Sequence, residues 1–322
     1  MISIAMATFN GAQYLSEQLD SILSQTFSDF ELVICDDVST DDTITILQSY
    51  AAKDRRIKLF RNDYNLGFKK NFEMAISLCS GEYIAFCDQD DIWFPEHLEV
   101  LKKNIGENDL ISADSILFYG DEKSKFDKNS IKLSDTNGFF RFPENQKELL
   151  YRFLANTMCT PGHNMLIRRE FLIKYLPIPD VVKYHDAWIA TVAVIKGKYA
   201  YCSQPLTYYR QHEKQVTQHS LYSYSGAVKN CLKAIFKKKK YITDRIDFIT
   251  ALRTLGIDEE TEKLFTEIEN FQKWRMHKTS GNDSRQAYNF FKKNYKLIQT
   301  RNDNKYRAIR FLELCVLRFA SR

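Results

Sequence analysis

The sequence predicts an α/β fold built on a doubly wound, mostly parallel sheet. Two observations predict it. Over the first hundred residues, short apolar, β-prone runs alternate with stretches of helical periodicity. Two of those runs, residues 30–35 and 83–87, end abruptly in carboxylates: Asp36-Asp37 after the first, Asp88-Gln89-Asp90-Asp91 after the second. Open sheets of this kind bind ligands at the C-terminal edge of their strands, and both acid groups fall on that edge.

Taken in order, residues 2–7 read as a short buried strand, and Thr8-Phe9-Asn10-Gly11 as a turn that can also cap a helix. Leu15, Leu19, Ile22 and Leu23 then recur at helical spacing. Residues 30–35 form the second strand, and the helix after it has Ile44, Leu47 and Tyr50 on one face, with Asp41-Asp42 at its start. Residues 57–60 are a third strand, and Asn65-Leu66-Gly67 opens a helix carrying Phe72, Ala75, Ile76 and Cys79. Residues 83–87 are the fourth strand, and Pro95 suits the first position of the next helix. Residues 106–145 are polar and irregular and read as a variable surface loop. Residues 161–167 are a turn entering a strand, a helix begins at His185-Asp186-Ala187-Trp188, and residues 206–212 are a strand ending in Arg210 and His212.

Composition is that of an ordinary soluble protein: 322 residues, 44% hydrophobic and 27% charged, enough chain to bury a sizeable core. No apolar run approaches the roughly 20 residues that span a bilayer, and the first residues lack the cationic start of a signal peptide. The seven cysteines are scattered without a CxxC pair, which argues against a disulfide framework or zinc site and fits a reducing cytosol. The net charge of +5 hides an asymmetry. From residue 222 onward there are 22 basic against 11 acidic side chains, so the earlier part is acidic and a boundary is expected near Ser220.

The acid turns carry the chemistry. Asp88 and Asp90, two apart on a turn, can face one point, and their combined charge is tolerable when a hard divalent cation sits there. A solvated turn is the plain alternative. The turn after the first strand lacks the GxGxxG pattern, and no P-loop is present, so a nucleotide diphosphate would need a metal to neutralise it. Asp36 and Asp37 either serve a ligand, with Asp37 able to bind a base, or cap the next helix. Asp186 is either a helix cap or a general base facing the crevice. Arg210 and His212 can approach a diphosphate or metal, or be structural.

In this order, the strand-TFNG, ELVICDDVSTDDT, NLGFKKNFEMA, GEYIAFCDQDDIWFPEHL, YHDAW and YRQH segments resemble the family 2 glycosyltransferases of the GT-A fold. The DQDD, HD.W and YRQH variants look most like bacterial rhamnosyltransferases of cell-wall or capsular polysaccharide synthesis. The resemblance covers about residues 1–215. It implies an inverting transfer from a nucleotide-diphosphate sugar, dTDP-rhamnose first and a UDP-hexose second, to a saccharide or polyprenyl-linked acceptor, with Mn²⁺ or Mg²⁺ as cofactor. The implied nucleotide contacts are Thr8, Asn10, Asp36, Asp37, Lys70 and Asp88. The metal would rest on Asp90 and Asp88, with Asp186 as the base. His163, His185, Trp188, Arg210 and His212 would lie near the diphosphate or acceptor. Ala187 departs from the aromatic that rhamnosyltransferases often carry there. The expected domains are a catalytic domain over 1–220, with a nucleotide-sugar half to about 105 and an acceptor half after it, and a basic helical region over 221–322.

Two rivals come from other classes. Residues 88–92 also resemble the DxDx(T/V) box of haloacid-dehalogenase-type phosphatases, in which the first Asp is a nucleophile. The basic region, with its Lys237–Lys240 run, would suit a polyanion binder; the paired carboxylates of the sheet repel phosphate, so no nucleic-acid partner is expected. In the C-terminal region Asp258 starts a helix with Leu264, Ile268 and Phe271 on one face. A second, over 305–320, sets Ile309, Leu312, Val316 and Phe319 against Arg307, Arg310 and Arg318. These helices either dock on the catalytic domain or, with the lysine run, hold a cytoplasmic enzyme on an anionic membrane surface.

Overall fold

The computed structural model describes residues 1–119, 132–136, 146–154, 162–212, 239–277 and 289. These residues fall into two compact units, the first drawn from 1–134, 160–178 and 184–218, the second from 135–159, 179–183 and 219–322.

The first unit is built on strands β1 (Ile2–Thr8), β2 (Phe30–Asp36), β3 (Ile57–Arg61) and β4 (Tyr83–Cys87), separated by helices α1 (Ala12–Leu23), α2 (Thr43–Ala51) and α3 (Phe68–Leu78). β1 is parallel to both β2 and β4, and β2 to β3, with Thr8 opposite Asp36 and Met6 opposite Cys87. That register brings the ends of three strands level, so their following turns share one edge. Beyond them lie β5 (Ile92–Trp93), β6 (Leu110–Tyr119), β7 (Met165–Arg168) and β8 (Tyr199–Gln211), completing an eight-stranded sheet in the order β3-β2-β1-β4-β7-β6-β8-β5. β7 runs antiparallel to β4 and β6, while β6 and β8 are parallel.

The helices form for the reason their periodicity gives. α1 buries Leu15, Leu19 and Ile22, at i, i+4 and i+7, and α3 buries Phe72, Ala75 and Ile76. The central β4 is buried along its whole length, hence its uninterrupted apolar sequence. Full burial of one such side chain, Phe86, contributes about 1.5–3 kcal/mol.

The expected loop over 106–145 is corrected by β6. Residues 110–119 are a ten-residue strand joined to β7 and β8, with only 120–131 and 137–145 outside the description. Its polar residues Ser112, Asp114 and Ser115 disguise it in sequence, yet all three are buried and bonded: Ser112 to the Tyr199 hydroxyl, Asp114 to Ser134, Ser115 to His163. The helix after β5 is α4 (His97–Asn104), starting two residues after Pro95. A helix, α8 (His185–Lys196), precedes β8; α5 (Leu133–Thr136), α6 (Gln146–Leu154) and α7 (Arg169–Leu172) are short.

In the second unit, helices Lys239–Arg253 and Glu259–His277 pack together through Phe248, Ile249, Leu252, Leu264, Phe265 and Ile268. Arg253 ties them by pairing with Glu262 and Glu269 at 3.0 and 2.7 Å. Asp258 caps the second helix, accepting the Thr261 N–H at 2.7 Å. The carbonyl of Phe153, on α6, accepts from Arg245 of the first. Lys237, Lys238, the expected boundary near Ser220 and the expected helix over 305–320 lie outside the described residues.

Candidate active site

The ends of β1, β2 and β4 enclose a cavity of 590 Å³. Its lining includes Thr8, Asn10, Asp37, Asp88, Asp90 and His212, six residues expected from the sequence. Phe9, Tyr14, Phe68 and Gln89 line it as well.

The turn after β2 is the first wall. Asp36 is fully buried and its carboxylate is used internally: it accepts from Thr8 Oγ1 at 3.2 Å and from the Ser39 N–H and hydroxyl, and Arg61 lies 3.6 Å away. Val38 sits between them at φ 63°, a conformation costly for a β-branched residue and held by these bonds on both sides. Asp37 accepts from Asn62 Nδ2 at 2.8 Å and from the backbone N–H groups of Leu66 and Gly67 at 2.7 and 2.8 Å. It thereby fixes the loop that opens α3 while still reaching the cavity. Asp36 therefore shapes the wall from within.

Gln89 joins the second wall to the first. Its carboxamide accepts from the Phe9 N–H at 2.9 Å and donates to the Phe9 carbonyl at 3.1 Å. Gly11 leaves room for this pairing, since a Cβ there would overlap that carboxamide. Sequence reasoning missed this residue, because the pairing spans 80 positions and leaves no local pattern.

The acid turn itself is divided by depth. Asp90 and His212 face the cavity, with His212 Nε2 2.8 Å from Asp90 Oδ2. Asp91 points inward and is completely buried; its Oδ1 accepts the Arg210 N–H at 3.0 Å, and its Oδ2 has no hydrogen-bond partner but lies 3.6 Å from His163 Nδ1. Asp88 stands between: burial first, then the charges of Asp90 and Asp186, push its carboxyl up to about 8. Burial likewise raises Asp91 well above the carboxylate range. Among the described residues, Asp88, Asp91 and His163 bring ligand atoms within 4.8 Å of one another.

The remaining expected residues sort by position. Asp186 lies in the first turn of α8, where its Oδ1 accepts the Ala187 N–H at 2.7 Å, and is close enough to act on Asp88; Tyr184 holds the N-cap position. His185 is buried against Phe72, stacked at 4.2 Å. Trp188 is buried with its indole N–H donating to the Tyr175 carbonyl, and Lys70 pairs with Glu73 on α3. Arg210 does not line the cavity. It is fully buried and braces the acid turn, Nε donating to the Asp90 carbonyl at 2.7 Å and Nη2 meeting Glu17.

This geometry sets a nucleotide-sized crevice beside two carboxylates, Asp88 and Asp90, with Asp186 outside the lining but near Asp88.

Known proteins share this plan. A glycosyltransferase of Nostoc is 34% identical over 220 residues, 66% of this chain and 65% of that protein. The UDP-Glc:alpha-D-GlcNAc-diphosphoundecaprenol beta-1,3-glucosyltransferase WfgD of Escherichia coli is 35% identical over 139 residues, 40% of this chain and 54% of that protein. Matches to the first curated relatives thus span about a third to two thirds of their length. Among solved structures, Staphylococcus aureus TarS 1-349 in complex with UDP-GlcNAc superposes with a TM-score of 0.52 at 16% identity, covering 97% of this chain and 91% of that one. The mannosyltransferase PcManGT of Pyrobaculum calidifontis, in complex with GDP-Man and Mn²⁺, gives 0.55 at 14% identity, covering 98% and 79%. These likenesses show a GT-A glycosyltransferase fold. The model of glycosyl transferase family 2 matches residues 3–176, over half the chain, and the protein belongs to that family.

Proposed function

We propose that this chain transfers a sugar from a nucleotide-diphosphate donor to a hydroxyl of a saccharide or lipid-linked saccharide, with inversion at the anomeric carbon. One observation carries this reading: the carboxylates Asp88 and Asp90 line a nucleotide-sized cavity at the C-terminal edge of the parallel strands, with Asp186, outside its lining, close enough to raise Asp88. The nucleotide lies against the β1 and β2 turns, with Thr8 and Asn10 beside it, Asp37 accepting from its base and the exposed ring of Phe9 offering a stacking face.

A divalent cation fits the residues present. The crowding that raises Asp88, and the unbonded buried oxygen of Asp91, are both relieved by a positive charge at the turn. Asp90 and His212 would hold it, with Asp88 beside them; oxygen donors suit Mg²⁺ or Mn²⁺, and the imidazole favours Mn²⁺. When bound, the cation neutralises charge that develops on the departing diphosphate. Asp186 accepts the acceptor hydroxyl's proton as that oxygen attacks the anomeric carbon, and the bond from that carbon to the diphosphate oxygen breaks on the opposite face. Asp88, Asp91 and His163 offer a second location for the cation, deeper in the fold. His212→Ala against His163→Ala in a Mn²⁺ titration separates the two.

The phosphatase reading is disfavoured by the position of the acid turn, which follows β4 and not the first strand, and by Ile92 where the phosphatase box ends in Thr or Val. On the resemblance, the donor is dTDP-rhamnose first and a UDP-hexose second. Hydrolysis of dTDP-, UDP- and GDP-sugars with Mn²⁺ tests the reading. Asp186→Asn should keep donor affinity and lower turnover by about 10²–10⁴-fold. Unchanged turnover would remove Asp186 from the chemistry.

A further inference from the structure

Two residues of α1 stand one helical turn apart and converge on the end of β8. The Tyr14 ring lies 4.4 Å from the Arg210 guanidinium and 5.0 Å from the His212 ring. Glu17 meets Arg210 Nη2 at 2.5 Å. Phe118 of β6 lies 4.5 Å from the same guanidinium, so Arg210 meets two rings and the Glu17 carboxylate. Arg210 in turn grips the acid turn at two points, through its backbone N–H to Asp91 and its Nε to the Asp90 carbonyl. Two residues on, His212 reaches Asp90 Oδ2.

The arrangement has a mechanical logic. β8 ends at Gln211, and among the described residues no ladder partner fixes His212. Its ring position rests on Asp90 and on the Tyr14 face. Asp90 is likewise held by its main chain, through Arg210. A fully buried guanidinium keeps one orientation only while its charge is paired, and Glu17 supplies that pairing. α1 begins directly after the Thr8–Gly11 turn, which Gln89 ties to the acid turn. The same helix therefore touches both the nucleotide wall and the cation-holding pair.

We infer that Tyr14 and Glu17 are positioning residues for the cation: through Arg210 they hold Asp90 and His212 in the geometry that binds Mn²⁺. This rests on the proposed function, and specifically on Asp90 and His212 as cation ligands. Groups that orient metal ligands typically change affinity 10–100-fold when removed.

The test is calorimetric titration of Mn²⁺, with UDP present and absent, into the full chain and four variants, alongside their melting temperatures. Glu17→Gln keeps an acceptor for Arg210 but removes the charge; Tyr14→Leu removes the ring, and Tyr14→Phe restores it. Glu17→Gln and Tyr14→Leu should weaken Mn²⁺ binding about 10–100-fold, while Tyr14→Phe stays within about threefold of wild type. Glu17→Asp should fall between. Should Glu17→Gln fail to fold, the Tyr14 pair decides alone. Wild-type Mn²⁺ affinity in both Tyr14→Leu and Glu17→Gln would overturn the inference while leaving the function intact. A wild-type protein that binds no Mn²⁺, with or without UDP, would instead overturn the cation reading on which it stands.

Discussion

At the scale of single residues, the site depends on side chains that hold other side chains. Gly11 shows this most plainly. Its missing Cβ leaves room for the Gln89 carboxamide to bond Phe9 in both directions, so the acid turn and the β1 turn move as one piece. Gly11→Ala displaces the tip of a flexible side chain, which costs the fold little: about 1–2 kcal/mol for two hydrogen bonds at a half-open site. Donor binding should weaken by a comparable amount, about tenfold, because the two walls lose their tie. Thermal melts and a donor titration of the variant check both numbers; unaltered donor affinity would mean the Gln89 tie is dispensable. None of this could be read from sequence. Gln89 stood in a motif whose carboxylates drew the attention, and its partner lies 80 positions away. Arg210 was legible as a cation near the site, but its burial and its turn-bracing role depend on Glu17, 193 positions distant.

At the scale of elements, β2 carries function at one end and stability at the other. Near its start, Glu31 is buried and accepts from Ser3, Ser80 and Lys58. Burial alone would raise its carboxyl, but these hydrogen bonds outweigh it and hold it at about 2, against an ordinary 4.5. A folded-state value below the unfolded one stabilises the protein fully above about pH 4.5, and the stabilisation is lost as the pH falls toward 2. Wild-type melting temperature should therefore drop across that window. Glu31→Gln should drop less steeply there, from a starting stability lower by about 1–3 kcal/mol at neutral pH. Parallel pH profiles for the two proteins would contradict the assignment. The strands β1, β2 and β4 were legible because buried parallel strands read as near-continuous apolar runs, while the edge strand β3 buries only Ile57. β6 was hidden, since its buried serines and Asp114 find partners only once His163, β8 and α5 are in place. β5, two residues long, is too short to leave a pattern.

At the scale of the whole molecule, the basic excess after residue 221 is not carried by the described helices of that region, whose sequences hold seven basic and seven acidic residues. The acidic crevice belongs to the first unit, while the helices Lys239–Arg253 and Glu259–His277 belong to the second. Among the described residues no helix is long and apolar enough to cross a membrane. A peripheral association through the basic region, the expectation drawn from the sequence, predicts sedimentation with anionic vesicles that weakens with salt and falls when Lys237–Lys240 are changed to Gln. Equal recovery in the supernatant with neutral and anionic vesicles at low salt would dismiss it. The proposed function requires the first unit's strand-end crevice to bind a nucleotide diphosphate through a cation held by the acid turn. Calorimetric titration of UDP, dTDP and GDP into wild type and Asp90→Asn, each with Mn²⁺ and with EDTA, tests it most directly. Wild type should bind at least one of the three with Mn²⁺, and both EDTA and Asp90→Asn should weaken that binding by tenfold or more. Equal affinity under all four conditions, or no binding of any of the three, would contradict the account.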